Sequence, residues 1–129
     1  MSALPKGETV SVRRIKTYTC QTGYVYQYYF VGKRDALSSD PEAPSFEYIF
    51  DVTSDRKTTF AVSVFLPPAA IEAWQSARGR TLADPERYAA VKLRLMLAFD
   101  EIPDMLNLGR RLRVEPSQIC ELLDSIGID

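Results

Sequence analysis

The chain has 129 residues, 46% of them hydrophobic and 26% charged, the composition of an ordinary folded domain and not of a disordered chain. Its 16 bases and 17 acids leave a net charge of −1, which excludes a histone-like polycation and a uniformly acidic tail. There is no histidine, so the commonest acid–base group and the commonest metal ligand are both missing.

Residues 1–7 lack the apolar core of an export signal. No apolar run approaches the roughly 20 residues a membrane helix needs. Residues 24–31 are interrupted by Gln27, and residues 61–71 by Ser63, Pro67 and Pro68. Cys20 and Cys120 lie far apart and read as reduced, buried thiols. These features predict one soluble, cytoplasmic domain over residues 1–129, without membrane contact. Charge is uneven along it. Residues 1–34 hold six bases and one acid (+5), and residues 35–55 hold six acids and no base (−6). Residues 102–114 return to +2, and residues 115–129 fall to −4. Such poles favour defined self-association or steering of a partner.

Residues 9–20 read as a first strand whose parity slips between Val12 and Ile15, predicting a bulge near Arg13-Arg14. Gln21-Thr22-Gly23 signals a turn. Tyr24, Tyr26, Tyr28 and Phe30 then alternate with Val25, Gln27, Tyr29 and Val31, the period-two pattern of a strand. Residues 33–45, with Asp40-Pro41-Glu42-Ala43-Pro44, read as a connection. Phe46, Tyr48, Phe50 and Val52 form a third alternation and Phe60, Val62, Val64 and Leu66 a fourth, joined as a hairpin by Ser54-Asp55-Arg56-Lys57. The second half turns helical. Pro67-Pro68 opens a helix over 69–78 that stops at Gly79. Asp84-Pro85-Glu86, with Asp84 as the capping side chain, opens an almost uniformly apolar helix over 87–101. A last helix over 117–126 carries Ile119, Leu122, Leu123 and Ile126 on one stripe.

Strands followed by helices predict an α+β domain: an antiparallel sheet of about four strands covered on one face by about three helices. The even-numbered side chains of strands two to four are the larger and more aromatic, and belong under the central helix. Leu95 and Phe99 are expected against Phe50 and Val62, and Trp74 is expected to anchor the core.

Motifs for chemistry are missing. The six glycines are scattered, so no phosphate loop forms, and nucleophile–histidine pairs cannot exist. Two separated cysteines make no zinc site, and Asp35, Asp40 and Glu42 lack the glycine-bent calcium loop. No catalytic residue, metal ligand or cofactor is assigned. Paired carboxylates occur at Asp100-Glu101, and Glu47 and Asp51 share a strand face, but sequence places no cleft between them. Residues 105–123 resemble a helix-turn-helix, with Met105, Leu108, Gly109 and Leu112 as the first helix and Leu112-Arg113-Val114-Glu115-Pro116-Ser117-Gln118-Ile119 as turn and second helix. Arg113 stands where such turns prefer glycine, and Glu121 and Asp124 would face phosphates. The favoured reading of residues 110–114 is a short strand with Leu112 and Val114 inward.

Three functional readings follow. The first is a non-enzymatic module that acts by association, most simply a homodimer through the odd-numbered sheet face, where Val25, Tyr29, Val31, Ile49 and Phe65 are candidate contacts. The second is nucleic-acid binding by Arg13, Arg14, Lys16, Lys33, Arg34, Arg110, Arg111 and Arg113, with the tyrosine-rich strand as a stacking platform. The third is an enzyme of unrecognised type.

Overall fold

The computed structural model describes residues 14–36 and 45–129. Along the chain it places β1 (Lys16–Thr19), β2 (Val25–Ala36), β3 (Ser45–Thr53), β4 (Phe60–Leu66), α1 (Pro68–Arg78), α2 (Asp84–Glu101), α3 (Met105–Leu108), β5 (Arg111–Arg113) and α4 (Ile119–Asp124). The strands form one sheet in the order β1-β2-β3-β4-β5. The first four run antiparallel, as hairpin-length connections require, and β5 lies parallel to β4 after the helical crossover.

This is the expected α+β arrangement with one strand and one short helix, Met105–Leu108, more. The fifth strand settles the ambiguous segment after α3. Ser63 donates its N–H to the Arg110 carbonyl and Val114 donates to that of Phe65, each at 2.9 Å, while Leu112 and Val114 face inward and are buried. A helix-turn-helix is therefore not formed. Gly109 makes the approach to β5 possible, because a Cβ there would run into the Met105 side chain. At the N-terminal end the expected strand is present over Lys16–Thr19. Its earlier part lies outside the described residues through Arg13, and with it the start of the slip expected near Arg13-Arg14, as does 37–44 of the expected connection. That connection is shorter than 33–45, since β2 continues to Ala36 and β3 begins at Ser45.

The helices cover the face built from Tyr26, Tyr28, Tyr48, Phe50, Val52, Val62, Val64 and Leu66, all buried. Alternation with aromatic and β-branched residues makes this face apolar throughout. Tyr24 departs from the expectation and is exposed, because it closes the turn in which the Cys20 N–H bonds the Tyr24 carbonyl at 2.9 Å. Leu95 and Phe99 are buried, as is Trp74, but the Phe99 ring stacks on Tyr26 at 4.2 Å instead of meeting Phe50. Tyr88 takes the Phe50 position, 6.2 Å from its ring and 5.1 Å from that of Phe30. Eleven residues of helix rise roughly 16 Å and four of strand roughly 13 Å. Tyr88 and Phe99 thus reach opposite ends of the aromatic run Phe30–Tyr26.

Capping follows local chemistry. Gly79 ends α1 in the left-handed region, φ 71°, with its N–H on the Gln75 carbonyl. At α2 the cap is Ala83, not Asp84, which is already helical. Ala83 offers no side-chain acceptor to the first turn, but Glu86 makes the reciprocal bond, its carboxylate accepting the Ala83 N–H at 2.9 Å, while Arg80 holds that carboxylate at 2.9 Å.

Candidate functional site: the open face of the sheet

The face turned away from the helices consists of ranks of side chains running across the strands. Tyr29, Asp51 and Ala61 form one rank, Gly32, Ile49, Ser63 and Arg111 the next, and Arg34, Glu47, Phe65 and Arg113 the third. Gln27 and Thr53 continue the face beyond Tyr29 and Asp51.

A bulge composes the third rank. The β2–β3 register shifts between Phe30 and Gly32, so Val31 is the extra residue. Before it, even-numbered residues of β2 face the helices. After it the parity is exchanged: Lys33 stands beside Tyr48 on the helix side, and Arg34 stands beside Glu47 on the open side. Lys33 covers the rings of Phe46 and Tyr48 at 5.4 and 5.7 Å. Had the register run on unshifted from Phe30, Arg34 would fall opposite Phe46 on the helix side and Lys33 opposite Glu47 on the open side, so the bulge decides which cation Glu47 receives.

Glu47 is the one charged side chain buried among the described residues, although it lies on the uncovered face. The Arg34 Nε donates to its Oε1 at 2.8 Å and the Ser63 hydroxyl to its Oε2 at 2.6 Å. These bonds, Arg34's first, hold the carboxyl below the usual glutamate range against the opposing effect of burial, with the Arg111 charge contributing. In return the carboxylate raises the Arg34 guanidinium. Arg111 lies over the Phe65 ring at 4.8 Å. In the first rank the Tyr29 hydroxyl donates to Asp51 Oδ2 at 2.6 Å. Arg113 approaches Glu115 at 3.6 Å, with both side chains half exposed.

Of the association candidates, Tyr29, Ile49 and Phe65 stand on this face, Val25 stands in register with Thr19 of β1, and Val31 is the unpaired bulge residue. Tyr29, Ile49 and Phe65 are half-buried among their neighbours, and Val25 and Val31 are exposed, Val31 at 53%. The structure divides the nucleic-acid candidates. Arg34, Arg111 and Arg113 share the open face, whereas Lys16 (in register with Tyr28), Lys33 and Arg110 belong to the helix side or its rim. Arg110 lies 5.6 Å over the Phe60 ring, Arg14 is exposed ahead of β1, and Arg13 lies outside the described residues. The tyrosine-rich strand does not present a platform, since Tyr26 and Tyr28 are core. Sequence reasoning paired neither Glu47 with Arg34 nor Ser63 with either. The available signal was Gly32, a glycine inside a strand pattern, which marks a bulge and hence a change of parity.

Other chemistry-bearing groups are committed to structure. Asp100 accepts the Tyr18 hydroxyl at 2.7 Å and the Gln21 N–H at 3.0 Å, tying the end of α2 to β1. That bond, together with burial, pushes the Tyr18 phenol up to about 12. Cys20 is a buried free thiol 3.0 Å from the Thr22 hydroxyl, whose hydrogen bond lowers its pKa; Cys120 is free and half-buried. Among the described residues no three acidic, cysteine or histidine groups gather to hold a metal ion, and no helix is long and apolar enough to cross a membrane. No protein-family model matches the sequence, and no curated protein or solved structure is significantly similar to it.

Proposed function

We propose that this protein is a non-enzymatic association module whose working surface is the open sheet face, and that its simplest assembly is a homodimer of two such faces. The observation that carries this reading is the composition of that face. Val25, Tyr29, Val31, Ile49 and Phe65 lie on or beside it with only partial cover, around a carboxylate whose charge Arg34 already pairs and to which Ser63 donates a hydrogen bond. A sheet face meant for water alternates to polar residues, and a continuing apolar patch on a small domain marks a contact surface. A two-fold contact is the commonest closed solution because one self-complementary patch serves both subunits. Glu47 is spoken for within its own chain, so the polar rim is left to Asp51 and the arginines. The free thiols agree with a reducing compartment such as the cytoplasm.

The test is mass in solution across a concentration series, by light scattering. A dimer that falls to monomer in Ile49→Glu, with circular dichroism unchanged, supports the reading; a monomer at every concentration overturns it. The common placement of Arg34, Arg111 and Arg113 beside Tyr29 and Phe65 favours nucleic acid as the second reading. Sub-micromolar, salt-sensitive binding of an oligonucleotide, lost in Arg111→Ala/Arg113→Ala, would put it first.

A further inference from the structure

We infer that two copies meet about a two-fold axis that runs across the strands along the Ile49 rank, and that Asp51 of each copy receives the guanidinium of Arg34 from the other. This rests on the association reading and adds the register and the ion pair that fixes it.

The ranks themselves choose the axis. For two faces laid against each other the axis lies between them, either along the strands or across them. An axis along β3 sets Asp51 against Asp51 in a rank that carries no base, whereas an axis across the strands lays each Asp51 over a Glu47 that has Arg34 beside it, so every close pair of acids then has a cation. An axis across the strands through Gly32, Ile49, Ser63 and Arg111 lays the Tyr29–Asp51–Ala61 rank of one copy over the Arg34–Glu47–Phe65–Arg113 rank of the other. The first rank carries one acid and no base, and the third carries two arginines and one acid. Sizes match as well: Ala61 falls opposite Phe65, a small group facing a large one, and Ile49 meets its own copy on the axis. Aligned packing of this kind is one of the two ways sheets stack.

Arg34 is built for the role. Its Nε is used on Glu47 at 2.8 Å, while its side chain keeps 68% exposure, which leaves the two Nη groups to serve a second carboxylate. In the proposed register Asp51 arrives over Glu47, one strand from Arg34, a lateral offset of roughly 4.8 Å that an arginine spans. Arg34 then bridges Glu47 of its own chain and Asp51 of the other. Glu47 meets the incoming acid with its own charge already balanced.

A double-mutant cycle on the full chain reads this directly. Dimer dissociation is measured by sedimentation for wild type, Asp51→Asn, Arg34→Gln and the double variant, at low and high salt, with thermal melts confirming that each is folded. Glutamine at 34 keeps an N–H donor at the position of Nε for Glu47 and removes the charge together with the two Nη groups. Each single variant is expected to weaken the dimer about tenfold and to flatten its salt dependence, and the double variant to be little worse than either. Single variants within twofold of wild type, or effects that multiply independently, overturn the register while the association reading stands. A wild type that stays monomeric at all concentrations overturns both.

Discussion

The two faces of this sheet grow from the same strands, yet they are stabilised by different physics. The helix side is a continuous apolar surface, in which Phe50, Val52, Val62, Val64 and Leu66 show no exposure and the rings of Tyr26 and Phe99 stack at 4.2 Å. The open side is a mixed lattice of half-covered apolar groups and short polar bonds, centred on a carboxylate that only neighbouring side chains bury. The contrast teaches that burial on one side comes from tertiary layers and on the other from a local network of cation, hydroxyl and ring. The first is non-directional and tolerates only loss of volume poorly; the second depends on register and on charge state.

Truncation on the helix side should have the largest effect. Phe99→Ala removes a ring packed on Tyr26 and should cost about 3–5 kcal/mol in denaturant unfolding. Lys92→Ala on the same helix should change little; comparable losses from both would erase the contrast between faces.

Glu47→Ala is expected to cost less, about 1–3 kcal/mol, because Ser63 loses its acceptor in a half-buried site. Its signature is pH dependence. A carboxyl whose pKa falls on folding stabilises the native state above its ordinary value of 4.5, and that contribution fades as pH drops toward the lower folded value. The melting-temperature gap between wild type and Glu47→Gln should therefore be full at pH 7 and shrink steadily below about pH 4.5. A gap constant with pH would mean that the network is decoration.

Tyr18→Phe tests the rim where the helix layer is tied to β1. Loss of the 2.7 Å bond to Asp100 should cost about 1 kcal/mol. A phenol raised on folding stabilises the protein fully below its ordinary value of 10.0 and loses that contribution as pH climbs toward about 12. Alkaline melts should show wild type and variant converging through that interval, and convergence at lower pH would break the assignment.

The smallest effect sharpens the comparison most. Val31→Ser, at an exposed bulge residue, should alter unfolding by under about 0.5 kcal/mol. Equilibrium unfolding of the dilute, monomeric protein checks it. A loss above about 1 kcal/mol would mean that the open face supports the fold itself.

The sequence by itself determined the helix-side core, the major helices and the α+β order, because these rest on periodicity and on proline and glycine stops that act within a few residues. It also placed Tyr29, Ile49 and Phe65 together on the second face, since strict alternation holds through those positions of β2, β3 and β4. Only the tertiary structure decided the rest. The sequence favoured a short strand over 110–114 with Leu112 and Val114 inward, but its parallel place on the open edge of β4, more than forty residues away in sequence, was set by the crossover. The Arg34–Glu47 pair exists because one extra residue at Val31 reversed the parity of the following strand, and its acceptor lies on another strand. Periodicity is written locally and can be read locally; a bulge, a parallel pairing and a buried charge are each fixed by a neighbour that only folding brings near.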